Sequence, residues 1–349
     1  MSSSHADSFP AKDLNILSVP RHRINWITSS FLIGTAFLTV TCLPIYFWFF
    51  DLDWFQVGMF LALTALTGFS ITAGYHRLFA HKTYEAKLPL RLLVLLFGAS
   101  AFENSVLMWT SEHRRHHKHT DHEEDPYNIQ KGFFHAHIGW LLFKLNPQPP
   151  YYNVRDLQSD PLVAWQHRYI NLLAVLMGFV LPTVAGFLYK GWVGALGGFL
   201  ISGLARVVAV QHTTFFINSA CHCLGRQPYS KRCSARDSFF LALFTFGEGY
   251  HNYHHEFQHD YRNGVKPWNW DPTKWLIWTL SKLGITSALR RAAPEKIAAA
   301  EQAVNNKLSS QEFEFGSQLS TNDSQLLSLA AAGEIAVAEQ AVAVKSLNR

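Results

Sequence analysis

Three histidine clusters punctuate the chain: His76-Arg77-Leu78-Phe79-Ala80-His81, His113-Arg114-Arg115-His116-His117 and His251-Asn252-Tyr253-His254-His255. A neutral imidazole offers one nitrogen lone pair to a metal. His113, His116 and His117 stand three and four apart, so a helix puts them on one face, aimed at one or two metals. The same holds for His251, His254 and His255. His76 and His81, five apart, fall well to either side of one helical face; they straddle two metals or need a local bend. Eight rings exceed what one four-coordinate zinc uses, and nitrogen-rich sites with open positions suit iron that reacts with oxygen. The leading expectation is a two-iron oxidase acting on an apolar substrate.

Rival chemistries explain fewer residues. His255-Glu256-Phe257-Gln258-His259 matches the zinc-protease pattern His-Glu-x-x-His, but leaves His76, His81, His113, His116, His117, His251 and His254 without a role. Glu248-x-x-His251 and Glu256-x-x-His259 resemble half-sites of carboxylate-bridged di-iron bundles, which sit on two separate helices; here they are only eight residues apart. Cys221-His222-Cys223 lacks a second cysteine pair to complete a zinc tetrahedron. A metal transporter would carry its ligands near the middle of membrane spans, whereas these clusters lie at or beyond span ends. For His5, His22, His135, His137, His167 and His212, ordinary hydrogen bonding is the expectation.

Long apolar runs must position the clusters. Residues 26–50 and 54–75 are free of charge, and each is long enough for the roughly 20 residues a helix needs to cross a bilayer; the acidic turn Asp51-Leu52-Asp53 joins them. Two further runs, 170–189 and 192–217, flank Lys190-Gly191, the second interrupted only by Arg206. The run 88–109 contains Arg91, Glu103 and Asn104 and would split the clusters between two faces if it crossed, so it reads as one interfacial or re-entrant helix. The fold class is therefore an all-α integral membrane protein, with four transmembrane helices and a histidine-rich di-iron cap. All clusters and both termini share one side. That side carries Arg21, Arg23, Arg77, Lys82, Lys87, Arg114, Arg115, Lys118, Lys131, Lys144 and Lys231, which makes it cytoplasmic.

Composition agrees. Charged residues are only 16% of the chain, low for a soluble domain, and the net charge of +5 sits between apolar spans, a topology signal rather than a nucleic-acid footprint. Cys42, Cys221, Cys223 and Cys233 show no secreted framework and are expected as free thiols. Residues 1–25 form a polar N-terminal segment without a cleavable signal, 26–290 one domain, and 291–349 a helix followed by a mobile tail.

The strings Gly74-Tyr75-His76-Arg77-Leu78-Phe79-Ala80-His81, Glu112-His113-Arg114-Arg115-His116-His117-Lys118, Asp125-Pro126-Tyr127-Asn128, Gly132-Phe133-Phe134 through His137-Ile138-Gly139-Trp140, and Gly247-Glu248-Gly249-Tyr250-His251-Asn252-Tyr253-His254-His255 resemble the membrane fatty acyl desaturases, particularly the delta-9 stearoyl-CoA type. The resemblance covers about residues 26–290. It implies a di-iron centre with nine histidine ligands and no bridging carboxylate, which uses oxygen and two electrons to place a cis double bond between carbons 9 and 10 of a saturated acyl chain. Asn218-Ser219-Ala220-Cys221-His222 is similar to the family segment that supplies the ninth histidine, His222, and an asparagine, Asn218, holding a metal-bound water. Trp109 and Thr214 match positions near the bend of the acyl chain, and Asn104 a headgroup-side position. Three positions depart: Glu103 replaces a usual glutamine, Ser111 an arginine near the CoA phosphates and Phe215 a tryptophan. The headgroup therefore stays open between CoA and an acyl lipid. No His-Pro-Gly-Gly haem motif occurs, so the expected reductant is a separate ferredoxin, rubredoxin or cytochrome b5, docking near Arg114, Arg115 and Lys118. The same histidine pattern serves hydroxylases and alkane monooxygenases, which stand as alternatives.

Overall fold

The computed structural model describes residues 20–144 and 151–306. Among the described residues, three helical stretches are long and apolar enough to cross a bilayer: Trp26–Phe49, Trp54–Ala80 and Pro161–His222. At 1.5 Å per residue the first is about 36 Å long, enough for a hydrocarbon core of about 30 Å. Asp53 starts the second helix by accepting the Gln56 backbone N–H at 2.9 Å, while the Gln56 side chain accepts from the Asp53 backbone N–H in a capping box. The same Gln56 amide donates to the Tyr46 hydroxyl at 2.6 Å, which closes the hairpin between the first two helices.

The 62-residue stretch is not one rod. Lys190 and Gly191 leave helical geometry, with Gly191 at φ +57° and ψ −145°, a conformation open to glycine and costly for other residues. The chain reverses there. A Cβ on Gly186 would lie 2.0 Å from the Gly194 carbonyl oxygen, and one on Gly198 would lie 2.2 Å from that of Pro182, so the two arms run antiparallel with backbones in contact.

Two expected boundaries change. The second helix does not stop at Tyr75; it runs to Ala80, and from Ser70 onward it is wound as a π-helix. The run 88–109 is not one helix. It breaks into Leu88–Ala99 and Val106–His119, with Phe102 at φ +57° and Asn104 at φ +70° in the break. Ser105 explains the restart, since its hydroxyl accepts the Met108 N–H at 3.3 Å as an N-cap. Buried Arg206 pins the break in place, donating to the Ser100 carbonyl, to the Gly178 and Ser202 carbonyls and to Thr67 Oγ1. Its guanidinium is thus shared among neutral oxygens from several segments, the way an ionisable group persists among apolar helices.

Among the described residues, strand is confined to one antiparallel pair of two residues, Glu85 opposite Ser287 and Ala86 opposite Thr286, with a few isolated bridges. The described residues up to Ala293 form one compact unit. Residues 294–306 are a separate helix; His5 and the expected mobile tail lie outside the described residues.

Candidate metal centre

The π-wound segment answers the spacing problem of the first cluster. A π-helix closes i→i+5 hydrogen bonds, and the His81 N–H donates to the His76 carbonyl at 3.0 Å. Residues five apart then stack on one side, and both rings enter the same group. This is the local bend that the spacing demanded.

Nine imidazoles assemble into two adjoining groups. His76, His81, His113, His117 and His254 bring one nitrogen each within 4.8 Å of one another; His116, His222, His251 and His255 do the same beside them. The His117 and His255 rings stack across the join at 4.3 Å. The division follows helix geometry. On the Val106–His119 helix the i, i+4 pair His113/His117 serves the five-ring group and His116 the other. On the His251–Glu256 helix the i, i+4 pair His251/His255 serves the four-ring group and His254 the other. Each helix therefore feeds both groups, in opposite proportion.

Electrostatics show what the rings face. His254 Nε2 lies 3.0 Å from His76 Nε2 and 2.9 Å from His117 Nε2, and His81 Nε2 lies 2.7 Å from His113 Nε2. In the other group His251 Nε2 is 3.1 Å from both His222 Nε2 and His255 Nε2. His76 donates its Nδ1–H to Glu248 at 2.9 Å and His116 its Nδ1–H to Asp125 at 2.8 Å, so Nε2 of each is turned inward. Converging lone pairs repel unless a cation sits among them. His81, His113, His117, His251, His254 and His255 are held well below the usual histidine pKa, first by burial and then by neighbouring rings, and so stay neutral as ligation requires. An all-imidazole donor set of this kind fits iron, zinc, copper or nickel.

The surrounding carboxylates orient rather than ligate. Glu248 accepts from His76, Arg77 and the Asn263 amide, and Arg77 also pairs with Asp271 at 3.0 Å, all of them buried. In the sequence Glu248 stands out as the carboxylate of a half-site pattern, and Asp125 only within a longer string. Their signal was a carboxylate set between histidine ligands in a chain otherwise poor in charge.

The protease pattern is not built. Its helix ends at Glu256, which pairs with Arg232, and the His259 ring turns toward the His81 carbonyl at 3.4 Å, apart from His255. The half-site reading fails with it, since Glu248 faces His76 and Arg77. His137 bonds to His212 and Ser219, and His167 to Ser105, as ordinary hydrogen-bonding residues do. All four cysteines are free thiols.

Beside the five-ring group, Trp109 stacks on His113 at 4.8 Å and donates its indole N–H to Glu103 at 3.2 Å, and Thr214 bonds to the same carboxyl. Phe215 is buried against His137 and His212. Asn104 is exposed in the break between helices, and Asn218 ends the helix four residues before His222. Ser111 is buried and bonded to Asn153. On the outer side, a cleft of about 440 Å³ is lined by His81 and His117 together with Lys82, Arg114, Lys118 and Arg290.

A sequence model of the fatty acid desaturases matches residues 52–279. The chain is similar to the probable acyl-CoA desaturase of Schizosaccharomyces pombe, at 45% identity over 223 residues, covering 63% of this chain and 46% of that protein. It is 38% identical over 296 residues to acyl-CoA desaturase 1 of Saccharomyces cerevisiae, covering 81% of this chain and 56% of that protein. It is 36% identical over 241 residues to human stearoyl-CoA desaturase 5, covering 67% of this chain and 72% of that protein. The chain thus spans about half the length of the two yeast relatives.

Proposed function

The chain belongs to the fatty acid desaturase family, and on that premise we propose that it is an integral membrane enzyme that forms a cis double bond between carbons 9 and 10 of a saturated fatty acyl chain. The observation that carries the reading is the pair of imidazole groups, five rings and four, fed by the same two helices. Two iron ions are the proposed occupants, with His76, His81, His113, His117 and His254 around one, and His116, His222, His251 and His255 around the other, where Asn218 holds a water. When bound, the iron pair supplies oxygen activation: two hydrogens leave adjacent methylenes and, with O2, two electrons and two protons, become two waters.

The residues around the centre select and position. Neighbouring methylenes are nearly identical chemically, so the bond position must come from where the chain is held. Trp109 and Thr214, tied together through Glu103, form a wall beside the five-ring group. Phe215 and Asn104 are the other proposed substrate contacts. The relatives' names favour CoA as the headgroup. Ser111 offers no anion contact, being buried against Asn153, so an acyl lipid remains the competing headgroup. Electrons come from a separate carrier of the ferredoxin, rubredoxin or cytochrome b5 class. The cleft lined by His81 and His117, where Lys118 and Arg290 stand beside Lys82 and Arg114, both of them paired with Asp156, is the proposed docking place, since an acidic partner there comes within one side chain of the centre.

Four crossings are proposed, with the centre and both termini cytoplasmic. The reversal at Lys190 and Gly191 supports this count, because it divides the longest stretch into two antiparallel arms. So does the excess of Lys and Arg on the side of the histidines.

The test is the fatty acid profile, with double-bond positions, of a bacterial host expressing the wild type beside His254→Ala, together with iron content of the purified protein. New cis-9 monoenes that depend on His254, with about two irons per chain, are the expected result. A hydroxylated product would move the chain to the hydroxylases. Stoichiometric zinc with activity intact would remove the oxidase chemistry.

A further inference from the structure

The four-ring group is gripped from outside by one short loop that follows the Val106–His119 helix. Asp125 in this loop holds His116. Asp121, four residues earlier, grips Ser234: one carboxylate oxygen accepts the Ser234 hydroxyl at 2.5 Å and the other its backbone N–H at 2.6 Å. With its proton committed to Asp121, the Ser234 oxygen accepts from Nδ1 of His222 at 2.7 Å. That bond places the His222 proton on Nδ1 and leaves Nε2 bare toward His251. The loop is itself braced, because the Asp121 N–H donates to Asp125 Oδ2 at 3.1 Å and the Asn128 amide to the His122 carbonyl at 2.7 Å.

Asp121 sits at φ +67°, in the left-handed region. A glycine would occupy this conformation without strain, so the chain bears a local cost to keep a carboxylate here. His116 comes from the long helix before the loop and His222 from the turn after the last apolar stretch. Both are fixed by carboxylates four residues apart.

We propose that Asp121, acting through Ser234, is a positioning residue that fixes the tautomer and orientation of His222, so that the metal of the four-ring group is retained or lost independently of its neighbour. Among the described residues, the hydrogen bonds of Asp121 and Ser234 run to each other, to Asp125 and to His222, and not to the Glu248 network that braces His76. The inference rests on the two-iron reading. It adds that the two irons differ in how firmly they are held, and names the side chains responsible.

The test uses the full chain, purified in detergent and loaded with iron, and counts metal per chain across a series of chelator concentrations. Asp121→Gly removes the carboxylate while relaxing the backbone; Ser234→Ala removes only the hydroxyl; Ser234→Thr keeps it. We expect the wild type to hold two irons, and Asp121→Gly and Ser234→Ala to release one at chelator concentrations about 10–100-fold lower, the usual effect of losing such an outer contact. The second iron should stay, and Ser234→Thr should restore wild-type retention. A two-iron wild type whose Ser234→Ala variant keeps both metals as firmly, or loses both together, overturns the inference and leaves the proposed function standing. A wild type that never binds two metals overturns the two-iron reading itself.

Discussion

The two imidazole groups draw on the same two helices, yet the protein braces them differently. The five-ring group leans on a buried polar knot: Glu248 holds His76 and is itself locked by Arg77 and Asn263, while Arg77 is also paired to Asp271. That knot ties the second apolar helix to the segment around the third cluster. The four-ring group leans on a surface loop, through Asp125 and through Asp121 with Ser234. Damage to the first support should therefore be read in folding, and damage to the second in metal retention.

The largest effects come from the rings themselves. His254→Ala and His116→Ala should both reduce the new monoene to host background in the fatty acid profile. Their metal contents should differ, because the first leaves four rings in its group and the second only three. Equal loss of both metals in both variants would break the distinction between the groups.

Next is Glu248→Leu, which removes one of the two carboxylates that neutralise buried Arg77 and leaves it Asp271 and the Tyr261 carbonyl. Losing the charge-assisted hydrogen bonds to Glu248 should cost about 1.5–3 kcal/mol or more, visible as a clear drop in the thermal midpoint in detergent. Asp125→Asn should change that midpoint little and weaken metal binding about 10–100-fold. A reversal of these two outcomes would show that the braces have been assigned to the wrong groups.

Acid should act on both groups together. The folded-state rings are held well below the ordinary value near 6.5 by burial and by one another, whereas the unfolded chain titrates near 6.5. Above that pH neither state takes up protons there and stability is at its plateau. As pH falls below it, the unfolded chain binds protons that the folded chain refuses, so stability declines. Thermal midpoints of metal-free protein should hold near pH 7.5 and fall as pH drops from about 6.5 to 5.5, and bound metal, which competes with protons for the same rings, should leave that fall as steep or make it steeper.

The smallest effect is His259→Ala, expected to leave activity near wild type and stability within about 0.5 kcal/mol. Loss of activity there would reinstate the His255/His259 pair as a zinc site.

Much of this was legible in the chain because the signals were local. Charge-free runs between residues 26 and 217 announced the apolar helices, Lys190-Gly191 announced a reversal, and three-and-four spacing announced the ring-bearing faces. What stayed hidden depended on contacts across the chain. Nothing near His116 and His117 says that they point to different groups until His251, His254 and His255 are packed opposite. Asp121 and Ser234 are 113 residues apart and meet only in the folded protein. The break after Ala99 was missed because its apolar flanks outweighed the short polar trio Glu103-Asn104-Ser105, although Ser105 is an ordinary N-cap. The winding of residues 70–80 was hidden for a different reason: apolar periodicity shows which residues share a face, and carries no record of which carbonyl each N–H selects.

That winding bears on insertions and deletions. A π-turn is an α-helix that has absorbed one extra residue. A chain lacking one residue between His76 and His81 would regain a regular helix with the two rings four apart, still on one face, but everything after the deletion would be rotated about the axis by roughly one residue's turn, about 100°. The first motif should thus resist any change in the number of residues between its histidines, beyond the constraint that the burial of Arg77 and its neighbours already places on their identity. Library screens that allow length variation in residues 77–80 would see this as a sharp loss at every position, however mild the residue removed.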